Sequence, residues 1–168
     1  MQNITPFLWF DDNAEEAVNY YVSLFKNSRI DTVTRHGDAG PGKPCAVMTI
    51  AFQIEGTDFL ALNGGRQDLE GGDLSSRFTL ASSSAISFVV NCETQADVDR
   101  LWDELLKGGE PMQCGWIKDK YGVTWQIVPK GLSDLFSDED PAKVQRAMTA
   151  MLEMEKLDIN VLRKAAAG

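Results

Sequence analysis

Side chains that usually perform chemistry are scarce in this sequence. There is one histidine, His36, and there are three cysteines, Cys45, Cys92 and Cys114, which are far apart and odd in number. No C-x-x-C pair occurs, so a disulfide framework and a thiolate zinc site are both disfavoured. His36 stands in a Gly-rich stretch, where a lone histidine is more typical of a solvent-exposed loop than of a metal ligand.

Long runs of positive charge and of apolar residues are also missing. The formal net charge is -9, and no cluster of Lys and Arg interrupts this acidity. A nucleic acid or an anionic membrane is therefore not expected as a partner. No segment reaches the roughly 18 consecutive apolar residues of a membrane span, and the first residues lack the basic and apolar regions of a signal peptide. We therefore expect a cytoplasmic protein.

What is present is a normal globular composition with an internal repeat. Ile4 to Phe10 has the composition of a strand, and Ala14 to Phe25 has apolar residues at helical spacing behind the helix-starting side chains of Asp11-Asp12-Asn13. A second strand and helix follow from Ile86, with Thr94 as the N-cap candidate. Aligning Asn13 with Thr94 keeps the apolar stripes of the two helices in phase.

Each strand and helix is followed by further strands. The segments Cys45–Ile54 and Thr57–Leu62 follow the first helix, and Gln113–Lys118 and Val123–Val128 follow the second. The glycine turn at Gly56 matches the one at Gly122. The repeat predicts an α+β fold of two βαβββ modules that form open sheets around a shared cleft. After Gly131 the chain reads as helical, with Asp140 and Asp158 as helix starts and an apolar stripe that needs covering.

Several dispersed segments resemble one known family. They are PFLWFDDNAEEAVNYYVSLF, FQIEGTDFLALNGG, AISFVVNCETQADVDRLWDELLKGGE, CGWIKDKYGVTWQIVP and the tail DPAKVQRAMTAMLEMEKLDINVLRKAA. The chain resembles the PhnB-like proteins of the glyoxalase/bleomycin resistance/dioxygenase (vicinal oxygen chelate) superfamily. The resemblance implies a glyoxalase-like domain over residues 1–130, made of modules 1–66 and 84–130 joined by a linker 67–83, with a helical extension over 131–168.

The same resemblance implies where a metal would sit. Metal-using members take one ligand from the first strand and one from the last strand of each module. In this chain those places fall at or next to Pro6, Leu60, Ser87 and Gln126. Proline and leucine carry no donor, and serine and glutamine are weak neutral ligands for a transition metal. We therefore expect no metal and no cofactor.

Four residues are candidates for binding a ligand in the cleft: Gln126, Ser87, Trp9 and Trp116. In a strand, Trp125 and Gln126 point to opposite faces, so a cavity-facing Gln126 puts Trp125 in the core. A glutamine inside an apolar strand needs a partner, which is either a neighbouring strand or a ligand amide contact, and the sequence leaves both open. Core packing is the alternative role for Trp9 and Trp116, and hydrogen bonding to its own strand is the alternative for Ser87.

Two classes of function follow from these observations. The first is a protein that binds a small, partly apolar molecule in the cleft without a transition metal, and the second is an enzyme with an atypical or metal-free mechanism. The chain lacks a nucleophile with its base and a ligand cluster, which favours binding. A methyltransferase label is common in this subgroup, but FDDNAEE stands where the Gly-rich turn of the common methyltransferases would be. The apolar stripe of the tail and the open sheets predict a homodimer.

Overall fold

The computed structural model describes residues 4–37, 43–65 and 86–168. The chain divides into two compact units, Met1–Ser83 and Ser84–Gly168, and each is described by itself. The predicted linker 67–83 lies outside the described residues. Within the three described ranges, no helix combines the length and the apolar character needed to cross a lipid bilayer.

The first unit is one βαβββ module. Its elements are β1 (Phe7–Phe10), α1 (Ala14–Leu24), β2 (Arg29–Arg35), β3 (Val47–Ile54) and β4 (Thr57–Asn63). The sheet order is β1-β4-β3-β2, with β1 parallel to β4 and the other neighbours antiparallel. After β1 the chain passes through α1 to β2 at the far edge of the sheet. Two hairpins then add β3 and β4, each beside the previous strand, so that β4 ends next to β1.

The second unit repeats this arrangement and adds helices. Its elements are β5 (Phe88–Cys92), α2 (Gln95–Leu105), β6 (Glu110–Pro111), β7 (Trp116–Lys118), β8 (Thr124–Pro129), α3 (Leu132–Phe136), α4 (Pro141–Leu152) and α5 (Ile159–Ala167). The sheet order β5-β8-β7-β6 is the same as that of the first unit. The prediction of two βαβββ modules with open sheets and a helical extension is therefore confirmed.

The turn between the first strand and the helix differs in length between the two modules. Thr94 takes the place of Asn13, since both carbonyls accept the N–H four positions later in the chain. Cys92 takes the place of Phe10, since their carbonyls accept the N–H groups that directly follow β8 and β4. Positions 11–13 lie between β1 and α1, whereas only positions 93 and 94 lie between β5 and α2. The turn is therefore one residue shorter in the second module.

One face of each sheet is buried and the other is open. In the first sheet Leu8, Phe10, Phe59 and Ala61 are buried, whereas Phe7 and Leu60 are exposed. In the second sheet Trp125 and Ile127 are buried and Val89 is exposed. Alternating burial is the mark of a sheet with a helix layer on one side only. The predicted core position of Trp125 is confirmed.

The strand boundaries differ from the sequence expectation in two ways. Ile4 and Ile86 are largely exposed and precede the strands, which begin at Phe7 and Phe88. No sequence pattern marks strands β2 and β6 individually. All residues of β2 except Ile30 are exposed, so this edge strand has no buried face to give it an alternating pattern.

The N-terminal end of α1 is capped from a distant strand. Asn13 makes no side-chain cap, which corrects the sequence expectation. Instead, the Oδ1 of Asn63 at the end of β4 accepts the N–H of Ala14 at 2.8 Å, and its Nδ2 donates to the carbonyl of Val47. Helix α2 is capped as predicted, because the Thr94 side chain accepts the N–H of Asp97.

The tail lies against its own unit. The N–H groups of Cys114 and Gly115 donate to the carbonyls of Met154 and Glu155, each at 2.7 Å. Gly115 has φ +83°, and a Cβ there would lie 2.8 Å from Leu157, so only glycine permits this close approach. The Lys156 ammonium adds ion pairs with Asp99 and Asp103 on α2.

The ion pair between the tail and α2 changes the titration of both partners. Burial by itself raises the pKa of Asp99, but hydrogen bonds from Gln95 and Lys156 outweigh it and the pKa falls below its ordinary value. Burial lowers the pKa of Lys156, but its hydrogen bond and charge interaction with Asp99 outweigh it and the pKa rises. Both groups are therefore charged at neutral pH.

A buried carboxylate organises the β7–β8 hairpin. Asp119 is only 4% exposed. Its Oδ1 accepts the N–H groups of Tyr121 and Val123, at 2.9 and 3.0 Å, and its Oδ2 accepts the indole Nε1–H of Trp125 at 2.9 Å. A buried charge is tolerated only when such hydrogen bonds replace its hydration. The sequence identified a turn here but not the carboxylate that holds it.

We expect Asp119→Asn to destabilise the protein. The amide oxygen can still accept the two backbone N–H groups, but its NH₂ then faces the Trp125 Nε1–H donor. The stranded donors should lower the free energy of unfolding by about 1–3 kcal/mol in urea titrations. The exposed Asp12→Asn is the control and should change it by less than about 0.5 kcal/mol. Equal stability of the Asp119→Asn and wild-type proteins would contradict this role.

Candidate functional site

The open face of the second sheet carries a row of three residues. Val89 in β5 is paired with Gln126 in β8, and Gln126 is paired in turn with Trp116 in β7. Directly paired residues project to the same side of a sheet, and the buried neighbours Trp125 and Ile127 project to the other. The three side chains therefore lie side by side on the face opposite α2.

Gln126 is bonded at one end of its amide. Its Nε2 donates to the hydroxyl of Ser87 at 2.8 Å. Across the described parts of the chain, no donor reaches its Oε1. The structure thus brings together Gln126 and Ser87, two of the four candidate residues, and leaves an acceptor oxygen and the Ser87 hydroxyl hydrogen at the surface of the sheet.

Apolar surface lies on both sides of this polar pair. Val89 is 52% exposed, and the Trp116 ring is half-buried. An apolar surface with a few oriented polar groups at its centre is the usual composition of a small-molecule site. Trp116, the third candidate, therefore shares a face with Gln126.

Trp9, the fourth candidate, belongs to the first sheet. Its Nε1 donates to the carbonyl of Gly65 at 3.3 Å. Its ring covers Gly64 so closely that a Cβ on that residue would lie 2.1 Å from the ring. The end of β4 therefore holds Trp9 in place, as a scaffold residue would be held.

The open face of the first sheet has an apolar pair at the equivalent position. Phe7 pairs with Leu60 as Val89 pairs with Gln126. Phe7 is 52% and Leu60 37% exposed. The place taken by the Gln126 amide in one module is thus taken by a methyl-bearing side chain in the other.

The strand register also refines the expected metal positions. When the ends of β1 and β5 are aligned, Ser87 corresponds to Thr5, the residue just before Pro6. The residues paired with Leu60 and Gln126 are Phe7 and Val89, which have no donor atoms. Over the described ranges, no three His, Cys, Asp or Glu side chains come close enough to hold a metal ion. The side chains at these positions do not fit a transition-metal site.

The cysteines do not form an evident nucleophile. Burial, together with the charge of Asp97, raises the pKa of the Cys92 thiol to about 11, so it is protonated at neutral pH. Cys114 lies half-buried with its thiol 3.6 Å from the carbonyl of Met151. The exposed Cys45 faces His36 across a hairpin, a proximity that the sequence did not reveal. Between the described segments 29–37 and 43–54, no hydrogen bond joins these two side chains.

Comparison with known proteins identifies the family. The family model described as 3-demethylubiquinone-9 3-methyltransferase matches residues 2–128. The chain belongs to this family. A PhnB protein from Bacillus cereus is 33% identical, with a TM-score of 0.64 over 76% of this chain and 99% of that one. The chain is thus a PhnB-like member of the vicinal oxygen chelate superfamily, as the sequence resemblance implied.

More distant structures share the fold. A Pseudomonas aeruginosa protein is 19% identical, with a TM-score of 0.60 over 77% of this chain and 98% of that one. The fosfomycin resistance protein FosX from Mesorhizobium loti is 11% identical, with a TM-score of 0.50 over 82% of this chain and all of that one. None of the curated proteins compared with the chain matches it.

We expect the purified protein to hold no transition metal tightly. After dialysis, elemental analysis should find zinc, nickel, iron and manganese far below one atom per chain, because the expected ligand positions lack charged or imidazole donors. The His36→Ala variant is the control, since it removes any metal bound at the Cys45 hairpin. A near-stoichiometric metal that His36→Ala retains and Gln126→Leu loses would contradict the prediction.

Proposed function

We propose that this protein binds a small, partly apolar molecule on the open face of its second sheet. The observation that carries the proposal is the Gln126 amide, fixed at one end by Ser87 and flanked by exposed Val89 and half-buried Trp116. A polar group that a neighbour holds in one orientation loses little rotational freedom when a ligand bonds to it. The apolar flanks supply the burial that favours association.

The ligand should carry a donor that matches the remaining acceptor. With Nε2 committed to Ser87, Oε1 of Gln126 accepts an N–H or O–H, and the Ser87 hydroxyl can donate to a neighbouring ligand oxygen. An amide, a hydroxy acid or a hydroxyketone next to an apolar group meets both requirements. The cleft shared by two modules stays a prediction from the sequence.

We do not extend the activity in the family description to this chain. In the first module the segment between β1 and α1 is Asp11-Asp12-Asn13, which offers no Gly-rich turn for the cofactor of the common methyltransferases. No residue in the described ranges favours the metal-free enzyme over a binding protein, so binding is the function proposed.

A thermal-shift screen of small metabolites tests the proposal. Compounds that raise the melting temperature of the wild type should fail to do so with Gln126→Leu and with Trp116→Ala, because each variant removes one side of the site. Hits should also quench or shift tryptophan fluorescence in the wild type but less in Trp116→Phe. Hits that stabilise all variants equally, or a screen without any hit, would count against binding on this face.

The Gln126→Leu variant should fold with nearly unchanged stability. The substitution removes one hydrogen bond, but Ser87 is half-buried and water can replace the amide, so the loss should stay below about 1 kcal/mol. Urea denaturation of the free protein measures it.

Gln53→Leu is the matched control, since both ends of its amide are used. Its Oε1 accepts from Arg29 Nη1 at 2.7 Å, and its Nε2 donates to Asp58 Oδ1 at 2.8 Å. At about 0.5–1.5 kcal/mol per bond, Gln53→Leu should cost more than Gln126→Leu. A larger loss for Gln126→Leu would make Gln126 part of the scaffold.

We also propose a homodimer. The apolar stripe of the tail packs within its own unit, so it no longer supports a dimer. The support comes instead from the exposed apolar residues on the open faces, Phe7, Leu60 and Val89. Light scattering at micromolar concentration should give about twice the mass of one chain. A monomer at that concentration would remove this proposal while leaving ligand binding open.

A further inference from the structure

The second unit contains a cavity on the side of its sheet opposite the Gln126 face. It has a volume of about 290 Å³ and lies where α5 meets the start of α2 and the end of β8. Its walls are formed by Glu93, Thr94, Gln95, Pro129, Lys130, Ile159, Asn160 and Arg163. Small-molecule sites span about 300–1,000 Å³, so this cavity suits a ligand at the small end of that range.

The cavity has a positive balance in an acidic protein. Lys130 and Arg163 supply two positive charges and Glu93 one negative charge, whereas the whole chain has a net charge of -9. The Lys130 ammonium is held by the Glu93 carboxylate at 2.5 Å, and that hydrogen bond and charge raise the pKa of Lys130. Lys130 therefore stays charged, but Glu93 occupies one of its donors.

Arg163 has no such partner. In the described residues no carboxylate lies within ion-pair distance of its guanidinium, and Asp134, which is also near Gly131, makes no ion pair with it. The Nη2 atom lies 2.9 Å from the place where a Cβ at residue 131 would be, so Gly131 makes room for the guanidinium. An unpaired guanidinium beside a cavity offers a planar pair of donors to an incoming anion.

The wall of the cavity is fixed by hydrogen bonds. The Gln95 amide donates to the carbonyl of Leu157 at 2.9 Å and accepts the N–H of Ile159 at 3.0 Å. These bonds tie the start of α5 to the start of α2, so the tail and the module form one hydrogen-bonded rim. A rim that is fixed before binding reduces the conformational entropy lost on association.

We infer that this cavity binds a small oxyanion group, a phosphate or a carboxylate, through Arg163 with Lys130 as the second cation. The guanidinium bonds two oxygens of the anion, and the ammonium, which also lines the cavity, contributes a second positive charge. This site is separate from the Gln126 face and does not depend on the function proposed for that face. The ligand is a free small anion or the anionic group of a small metabolite.

Titration with sodium phosphate and, separately, sodium acetate tests the inference. Sodium chloride at equal ionic strength is the reference in each case, and the readouts are the melting temperature and ³¹P line broadening for phosphate. We expect a saturable stabilisation by at least one of the two anions beyond that given by chloride. A response to phosphate alone assigns the site to phosphate groups, and a response to acetate alone assigns it to carboxylates.

Three variants make the test specific. Arg163→Gln should weaken binding at least about fivefold, because it removes the bidentate donor pair. Glu93→Gln should strengthen binding by about threefold, because it releases Lys130 and removes a like charge. Lys164→Gln changes a neighbouring exposed cation that does not line the cavity, and should leave binding unchanged.

Circular dichroism checks that each variant is folded, which is expected since all three side chains lie at the surface. Equal stabilisation by phosphate, acetate and chloride would overturn the inference. Losses of the same size in Arg163→Gln and Lys164→Gln would overturn it as well, since they indicate a general charge effect.

Discussion

The carboxylate of Asp119 is the constraint on which the second sheet depends. It accepts two backbone N–H groups of its own turn and the indole N–H of Trp125, and so joins the turn to strand β8 of the same hairpin. With Trp125 held on the buried side, the period of two along a strand turns Gln126 to the open face. A polar group in the core therefore determines which residue the second sheet places on its open face.

The two modules share a topology but treat their sheet edges differently. In the first module β2 is a seven-residue edge strand whose residues are nearly all exposed, with charged residues at both ends. In the second module the equivalent strand β6 has two residues, and tail carbonyls accept the N–H groups of Cys114 and Gly115 just before β7. The tail thus supplies backbone partners where the second sheet is short, and charge protects the longer edge of the first.

Much of the fold could be predicted because it depends on residues that are close together in the sequence. Three kinds of feature involve only neighbours in sequence. They are the apolar stripes of α1 and α2, the glycine turns at Gly56 and Gly122, and the helix caps at Thr94, Asp140 and Asp158. Features that join distant residues could not be read in this way. The cap that Asn63 gives to α1 spans 49 residues, and the proximity of Cys45 to His36 depends on a hairpin register. The resemblance puts Gln126 and Ser87 in one set of ligand positions, but only the structure shows their hydrogen bond and the flanking of Gln126 by Val89 and Trp116.

The unequal turns between strand and helix show where such a duplicated architecture tolerates a change in length. One residue added at the start of β1 would turn every later side chain of that strand to the opposite face. Phe7 and Trp9 would then point into the core, and Leu8 and Phe10 would point to the open face. The difference lies instead between strand and helix, where Asp11 to Asn13 in one copy correspond to two residues in the other. A surface turn takes up an insertion without changing either pattern of burial. The two copies could therefore diverge in length while each kept its own inward and outward residues.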